Sequence, residues 1–232
     1  MLVFWDIDGT LLTTDRAGIA AWEEALRAVA GVEARLDTFD TRGLPDYLIA
    51  RMLLTERAGV AAPDEATVRR LVTAYEDQLP TALPRRTGRV LPNVRAILDT
   101  LAAEPGACSM LLTGNTRRGA EAKLRHYGLA EFFEHGAFSD GDLDREGIAR
   151  AALDCAAAAG READPARLFV VGDTPHDVRC GRAIHARTIA VATGGYDRAE
   201  LTAAGAWRVL EALPAPREFL ALLAGAEVPA DA

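Results

Sequence analysis

Short apolar runs rich in β-formers recur along this chain, and amphipathic helical stretches separate most of them. Leu2–Trp5 is the first. Residues 109–113, 136–139, 168–171 and 188–192 repeat the pattern, with 207–210 a candidate sixth. Apolar strands alternating with helices predict a parallel sheet covered on both faces, so the expected fold class is α/β. Residues 15–88 break the rhythm. Ile19, Trp22, Leu26 and Val29 fall three and four apart, as do Val68, Leu71, Tyr75 and Leu79, while Leu48, Ile49, Met52 and Leu53 mark a helix between them. This stretch holds no convincing strand and reads as a helical insertion with boundaries near residues 14 and 89. Pro80, Pro84, Gly88 and Pro92 punctuate the return, and Val94, Ile97, Leu98 and Leu101 predict the next helix. Residues 225–232 lack periodicity and read as a disordered tail.

A chain of 232 residues, half of them apolar, can bury one large core or one core plus a smaller appendage. Its net charge of −8, with no compensating Lys/Arg block, argues against a grip on nucleic acid. Cys108, Cys155 and Cys180 are odd in number and widely spaced, which predicts reduced, buried thiols and a cytoplasmic location. Asp6 and Asp8 break the first apolar run and no basic segment precedes it, so neither a signal peptide nor a membrane partner is expected. A monomer or homodimer is expected.

The first run ends in Asp6-Ile7-Asp8-Gly9-Thr10. In extended backbone, residues two apart project to the same side, which sends Asp6 and Asp8 to the mouth of the sheet and Ile7 into the core. Carboxylates so close repel unless a cation joins them, and hard oxygen donors suit magnesium. By itself Asp6-Ile7-Asp8-Gly9 is also an ordinary polar turn. A second acidic strand end, Gly172-Asp173-Thr174-Pro175-His176-Asp177, follows residues 168–171, at the sheet edge where open α/β folds bind ligands. Between the two lies Leu112-Thr113-Gly114-Asn115, whose turn could cradle a phosphate at the following helix N-terminus. On that helix sits Lys123, the single lysine among 26 Lys and Arg, beside the apolar stripe of Ala120, Leu124 and Tyr127. A compact ammonium can serve a phosphate oxygen and a carboxylate together.

Taken in order, these segments resemble the haloacid dehalogenase superfamily, in its phosphoglycolate-phosphatase-like branch, over nearly the whole chain. The resemblance implies a Rossmann-like parallel sheet core with helices on both faces, formed by residues 1–14 and 89–232, and a helical cap formed by residues 15–88. It implies a magnesium-dependent phosphohydrolase acting on a small phosphorylated metabolite. Asp6 would attack phosphorus to form an aspartyl-phosphate, and Asp8 would act as general acid and then base. Magnesium would sit on the Asp6 carboxylate, the Asp8 backbone carbonyl and Asp173, with Asp177 a further ligand or outer partner. Thr113, Gly114, Asn115 and Lys123 would hold the phosphoryl group. Many relatives carry a Lys-Pro segment shortly before the fourth motif. This chain has Arg145, Arg150 and Arg161 in that stretch instead, which makes Lys123 the candidate for the third-motif lysine.

Asp8 favours phosphate chemistry over dehalogenation, because halide departure needs no proton. A sugar phosphomutase shares the four motifs, and a non-catalytic phosphate-binding module is the rival from another class. Asp140-Gly141-Asp142-Leu143-Asp144 superficially suggests a calcium loop, but Arg145 and Ala151 stand where Gly and Glu are needed. His126, His135, His176 and His185 lack ligand spacing, and His176 is expected to shape backbone or face solvent. Arg42, in the Arg42-Gly43-Leu44-Pro45 interruption, is a candidate for meeting a substrate carboxylate or second phosphate.

Overall fold

A computed structural model describes residues 1–141 and 144–225. Eight strands are present among the described residues: β1 (Leu2–Trp5), β2 (Leu12–Thr13), β3 (Arg89–Val90), β4 (Cys108–Leu112), β5 (Gly136–Ala137), β6 (Leu168–Gly172), β7 (Arg187–Val191) and β8 (Arg208–Leu210). The helices are α1 (Ala17–Ala30), α2 (Asp46–Glu56), α3 (Glu65–Ala82), α4 (Val94–Ala103), α5 (Arg117–His126), α6 (Arg145–Ala158), α7 (Pro175–Ala183), α8 (Arg198–Ala203) and α9 (Pro216–Leu223). Six strands form one parallel sheet in the order β5-β4-β1-β6-β7-β8. The α/β class expected from the apolar runs is what the chain adopts.

Strand residues alternate between two cores, as a period of two requires. Val3, Trp5, Leu111, Phe169 and Val171 pack with Val94, Ile97 and Leu98 of α4 and Phe219 and Leu222 of α9. Leu2, Phe4, Met110, Leu112 and Val170 face the opposite way, onto Ile148, Ala149 and Ala152 of α6 and Cys180 of α7. Both faces of the sheet are therefore dry. Cys108 and Cys155 are only half-buried, so the expectation of three buried thiols holds for Cys180 alone; all three are free.

Helices α1, α2 and α3 enclose a separate core that includes Trp22, Leu26, Ile49, Leu53, Leu71 and Tyr75. Trp22 and Tyr75 stack with centroids 3.9 Å apart. Helix α3 runs through Pro80 rather than stopping there; a proline inside a helix forfeits one amide hydrogen bond. The chain leaves and re-enters the sheet layer through β2 and β3, which pair antiparallel. These two-residue strands are too short to show a period and were absent from the sequence expectation. Thr87 donates from its amide and hydroxyl to the Asp15 carboxylate, which ties the two crossings together. The segment expected to form a tail lies, apart from Gly225, outside the described residues. No helix among the described residues is long and apolar enough to cross a membrane.

Because β1 lies at the centre of the sheet with Phe4 fully buried, Phe4→Ala should destabilise the fold by about 3–5 kcal/mol. Urea denaturation measures this directly, and a loss under about 1 kcal/mol would mean that the core refills the space.

Candidate active site

Trp5 pairs with Leu111 of β4 on one side and Val171 of β6 on the other, so three adjacent strands end level. Sheet order reverses about β1, and the crevice of an open α/β sheet lies at such a switch point. Asp6 follows β1, and its amide donates to the Val171 carbonyl at 3.0 Å. Thr113 follows β4 and Asp173 follows β6. Ile7 turns into the core, fully buried. Gly9 takes a φ of +81°, and a Cβ there would collide with the Asp173 carboxylate. Glycine is thus needed both for the turn and for the close approach.

Carboxylate oxygens of Asp6, Asp173 and Asp177 lie within 4.8 Å of one another, and all three residues are buried. Burial, followed by repulsion from Asp177, pushes the Asp6 carboxyl up to about 7. Burial and the same neighbours raise Asp173 well above the carboxylate range, although Thr10 donates its hydroxyl to Asp173 at 3.1 Å. Asp177 is more fully engaged. One oxygen accepts from the Thr174 amide and hydroxyl in a capping box that starts α7, and the other accepts from Arg145. An outer position behind a metal suits it better than direct ligation.

The Asp8 carboxylate stands apart from that trio. It accepts from Lys123 Nζ at 2.6 Å and from Asn115 Nδ2 at 2.9 Å, and Lys123 also donates to Asn115 Oδ1 at 2.5 Å. Asp6 and Asp8 do share the sheet mouth, but their carboxylates diverge toward different cations. Thr113 is fully buried, with its hydroxyl accepting from Asn115 Nδ2 at 2.8 Å and hydrogen-bonding Asp6. Gly114 passes close under the α1–α2 connection, where a Cβ would meet the Leu44 carbonyl at 2.8 Å.

Arg145 is the residue that sequence reasoning passed over. It opens α6 behind the N-cap Asp144 and is only 5 % exposed. Burial works most strongly against its charge, but Asp177 together with Cys180, Asp6 and Asp173 outweighs burial and holds the guanidinium above its ordinary range. Nη1 lies 3.9 Å from Asp6 Oδ1, and among the described residues neither Nη1 nor Nε has a hydrogen-bond partner. Buried donors seldom go unmet, so these two N–H groups mark where an anion beside Asp6 would be received. Lys123 and Arg145 therefore both reach the strand ends, one from each face of the sheet. The clue in the sequence was an arginine in the stretch where many relatives carry lysine.

Four carboxylates, Asp6, Asp8, Asp173 and Asp177, face two cations, Lys123 and Arg145, which leaves two negative charges unmatched. An all-oxygen donor set with that deficit fits a divalent hard cation.

Other expectations resolve locally. Asp140 accepts from the Arg117 amide and Asp144 caps α6, while Asp142 and Leu143 lie outside the described residues. His176 meets Arg179 through Nδ1 at 2.7 Å and crowds Gly43. Arg42 does reach across to the sheet side, donating from Nη1 to the Gly195 carbonyl at 2.8 Å, but Asp40 holds its Nε and Nη2.

A family model for haloacid dehalogenase-like hydrolases matches residues 3–182. The chain belongs to that family. Among similar proteins are a phosphoglycolate phosphatase from Synechococcus elongatus, 28% identical over 87% of this chain and 88% of the relative, and the probable phosphatase IndB from Dickeya dadantii, 28% identical over 88% and 86%. The structure of CbbY from Rhodobacter sphaeroides in complex with phosphate superposes with a TM-score of 0.73 at 22% identity, covering 91% of this chain and 93% of that one. This hydrolase thus shares its fold with CbbY and its family with two phosphatases.

The raised Asp6 value makes a prediction about pH. A carboxyl whose folded pKa lies near 7 against 3.8 unfolded favours the fold below the lower value and loses that contribution as pH rises through the upper one. Metal-free protein should therefore lose stability relative to Asp6→Asn between about pH 4 and about pH 7. Urea denaturation in EDTA across that range checks this, and a constant gap would place Asp6 in an ordinary environment.

Proposed function

We propose that this hydrolase is a magnesium-dependent phosphatase that cleaves a small phosphomonoester through an aspartyl-phosphate, phosphoglycolate-phosphatase-like in build and chemistry. The observation that carries the reading is the setting of Asp6. On one side it has the carboxylates of Asp173 and Asp177, and on the other the unpartnered Nη1 and Nε of Arg145. Magnesium would be held by the Asp6 carboxylate, the Asp8 backbone carbonyl and Asp173, with Asp177 behind. Bound there, it would neutralise phosphoryl charge and keep Asp6 ionised.

Asp6 attacks phosphorus in line with the ester oxygen, forming an Oδ–P bond as the P–O bond to the leaving group breaks. Asp8 gives its proton to that departing oxygen, then takes one from the water that opens the aspartyl-phosphate. Lys123 and Asn115 hold the Asp8 carboxylate for both transfers. Thr113, Gly114 and Arg145 receive the phosphoryl oxygens, where fixed donors act without reorganising. We take residues 15–88 as a cap over a core of 1–14 and 89–232, closing a cavity of about 660 Å³ that suits a small ester. Three free cysteines agree with a cytoplasmic enzyme.

Phosphate release from a panel of small esters, with magnesium and with EDTA, tests the reading. Asp6→Asn should lower kcat by on the order of a thousandfold or more, and hydrolysis undiminished in that variant, or in EDTA, would overturn the mechanism. Lys123→Ala should lose about a hundredfold in kcat through mispositioned Asp8. Arg145→Met should lose a comparable factor, read in kcat/KM, through lost phosphoryl stabilisation. Full activity in either variant removes that residue from its role.

A further inference from the structure

Beyond the reacting groups, the charged lining of the cavity consists of Arg16, Asp37, Asp40, Arg42 and Asp46. Four of these answer one another. Asp40 takes Nε and Nη2 of Arg42, whose Nη1 is committed to Gly195. Arg16 meets Asp37, which Arg35 also contacts from the solvent side. Asp46 is left over, and it is only 4 % exposed.

The position of Asp46 has a local cause that accounts for half of its carboxylate. As the first residue of α2, its amide donates to the Gly114 carbonyl at 2.8 Å and its Oδ2 accepts from the Thr116 amide at 2.8 Å. These reciprocal bonds fasten α2 to the turn that follows β4. Among the described residues no donor reaches Oδ1, and no cation pairs with the group. Lys123, near enough to pull the pKa down, is bound to Asp8 and Asn115, and burial still drives Asp46 up to about 7. The residue is 4 % exposed and lines the cavity, so its unengaged oxygen is open to a donor from whatever occupies that space.

We propose that Asp46 reads the leaving group, accepting a hydrogen bond from a cationic amine, so that the substrate class is an aminoalkyl phosphate rather than an ester whose leaving group carries a second anion. This rests on the cavity being a phosphomonoester site and narrows its occupant. A hydroxyl would satisfy Oδ1 but leave the buried charge unmatched, whereas an ammonium does both. A carboxylate, as in phosphoglycolate, would meet Asp46 as a like charge, and Arg42, the residue suited to receive it, is already held by Asp40.

The test is calorimetric binding of O-phosphoethanolamine, glycerol phosphate and phosphoglycolate to Asp6→Asn protein with magnesium, repeated in the Asp6→Asn, Asp46→Asn double variant. Asparagine keeps an oxygen for the Thr116 amide, so its removal of charge is separated from loss of the fastening. The amine ester should bind tightest, and Asp46→Asn should weaken it about 10- to 100-fold while phosphoglycolate holds or improves. Phosphoglycolate binding as tightly as the amine ester, a ranking indifferent to Asp46→Asn, or no binding of any of the three overturns the proposal. Should the double variant not fold, the ranking in the protein bearing Asp46 decides alone. Phosphate release by the unaltered enzyme is scored separately. Selective binding without turnover would retire the phosphatase reading and keep this one, and turnover without selectivity would do the reverse.

Discussion

Negative charge packed at the ends of two adjacent strands, β1 and β6, is the constraint around which this molecule is organised. Asp6, Asp173 and Asp177 crowd within 4.8 Å because β1 and β6 end level and α7 begins just past the end of β6. Neighbouring features answer that crowding. Arg145 is brought 5 % exposed to the first turn of α6, the Thr174 capping box absorbs one oxygen of Asp177, and Thr10 reaches Asp173. Gly9 exists to let the chain pass beside the Asp173 carboxylate. Removing the crowding would stabilise the fold and abolish the site, which is the usual tension between a strained functional centre and the scaffold that holds it.

The three-helix layer is joined to this centre by few but specific contacts. Arg118 of α5 meets Glu76 and Asp77 of α3, Arg42 meets Gly195, and the amide and carboxylate of Asp46 engage Gly114 and Thr116. The last contact is made to the same turn that presents Thr113 and Asn115. The seat of α2 and the turn after β4 are therefore fastened by the same bonds. The helical layer has its own apolar core, against which Ala122 of α5 also packs.

How much could be read from the residues follows from how local each signal is. β1, β4, β6 and β7 announce themselves as apolar runs because strands buried on both faces need nothing else, and the carboxylates after β1 and β6 are conspicuous for ending such runs. Lys123 stands out through being the single lysine. Arg145 is marked only by standing, with two other arginines, in the stretch where many relatives carry lysine. Asp144-Arg145-Glu146 is an ordinary capped helix start, and only the tertiary path after β5 aims its guanidinium inward. Asp46 likewise looks like any acid in a first helical turn after proline. The β2–β3 pair is invisible for a different reason, since two residues per strand carry no period. Local chemistry thus names the groups that end strands, and long-range packing selects those that answer them.

The solitary lysine has a practical consequence. Acylation, reductive alkylation and amine-directed cross-linking can reach no lysine in this sequence except Lys123, whose side chain is 5 % exposed and hydrogen-bonded to Asp8 and Asn115. An ammonium so held is a poor nucleophile until its bonds are broken. The rate at which Lys123 takes a label is therefore a built-in gauge of how often the site opens, obtained without adding a probe to the protein.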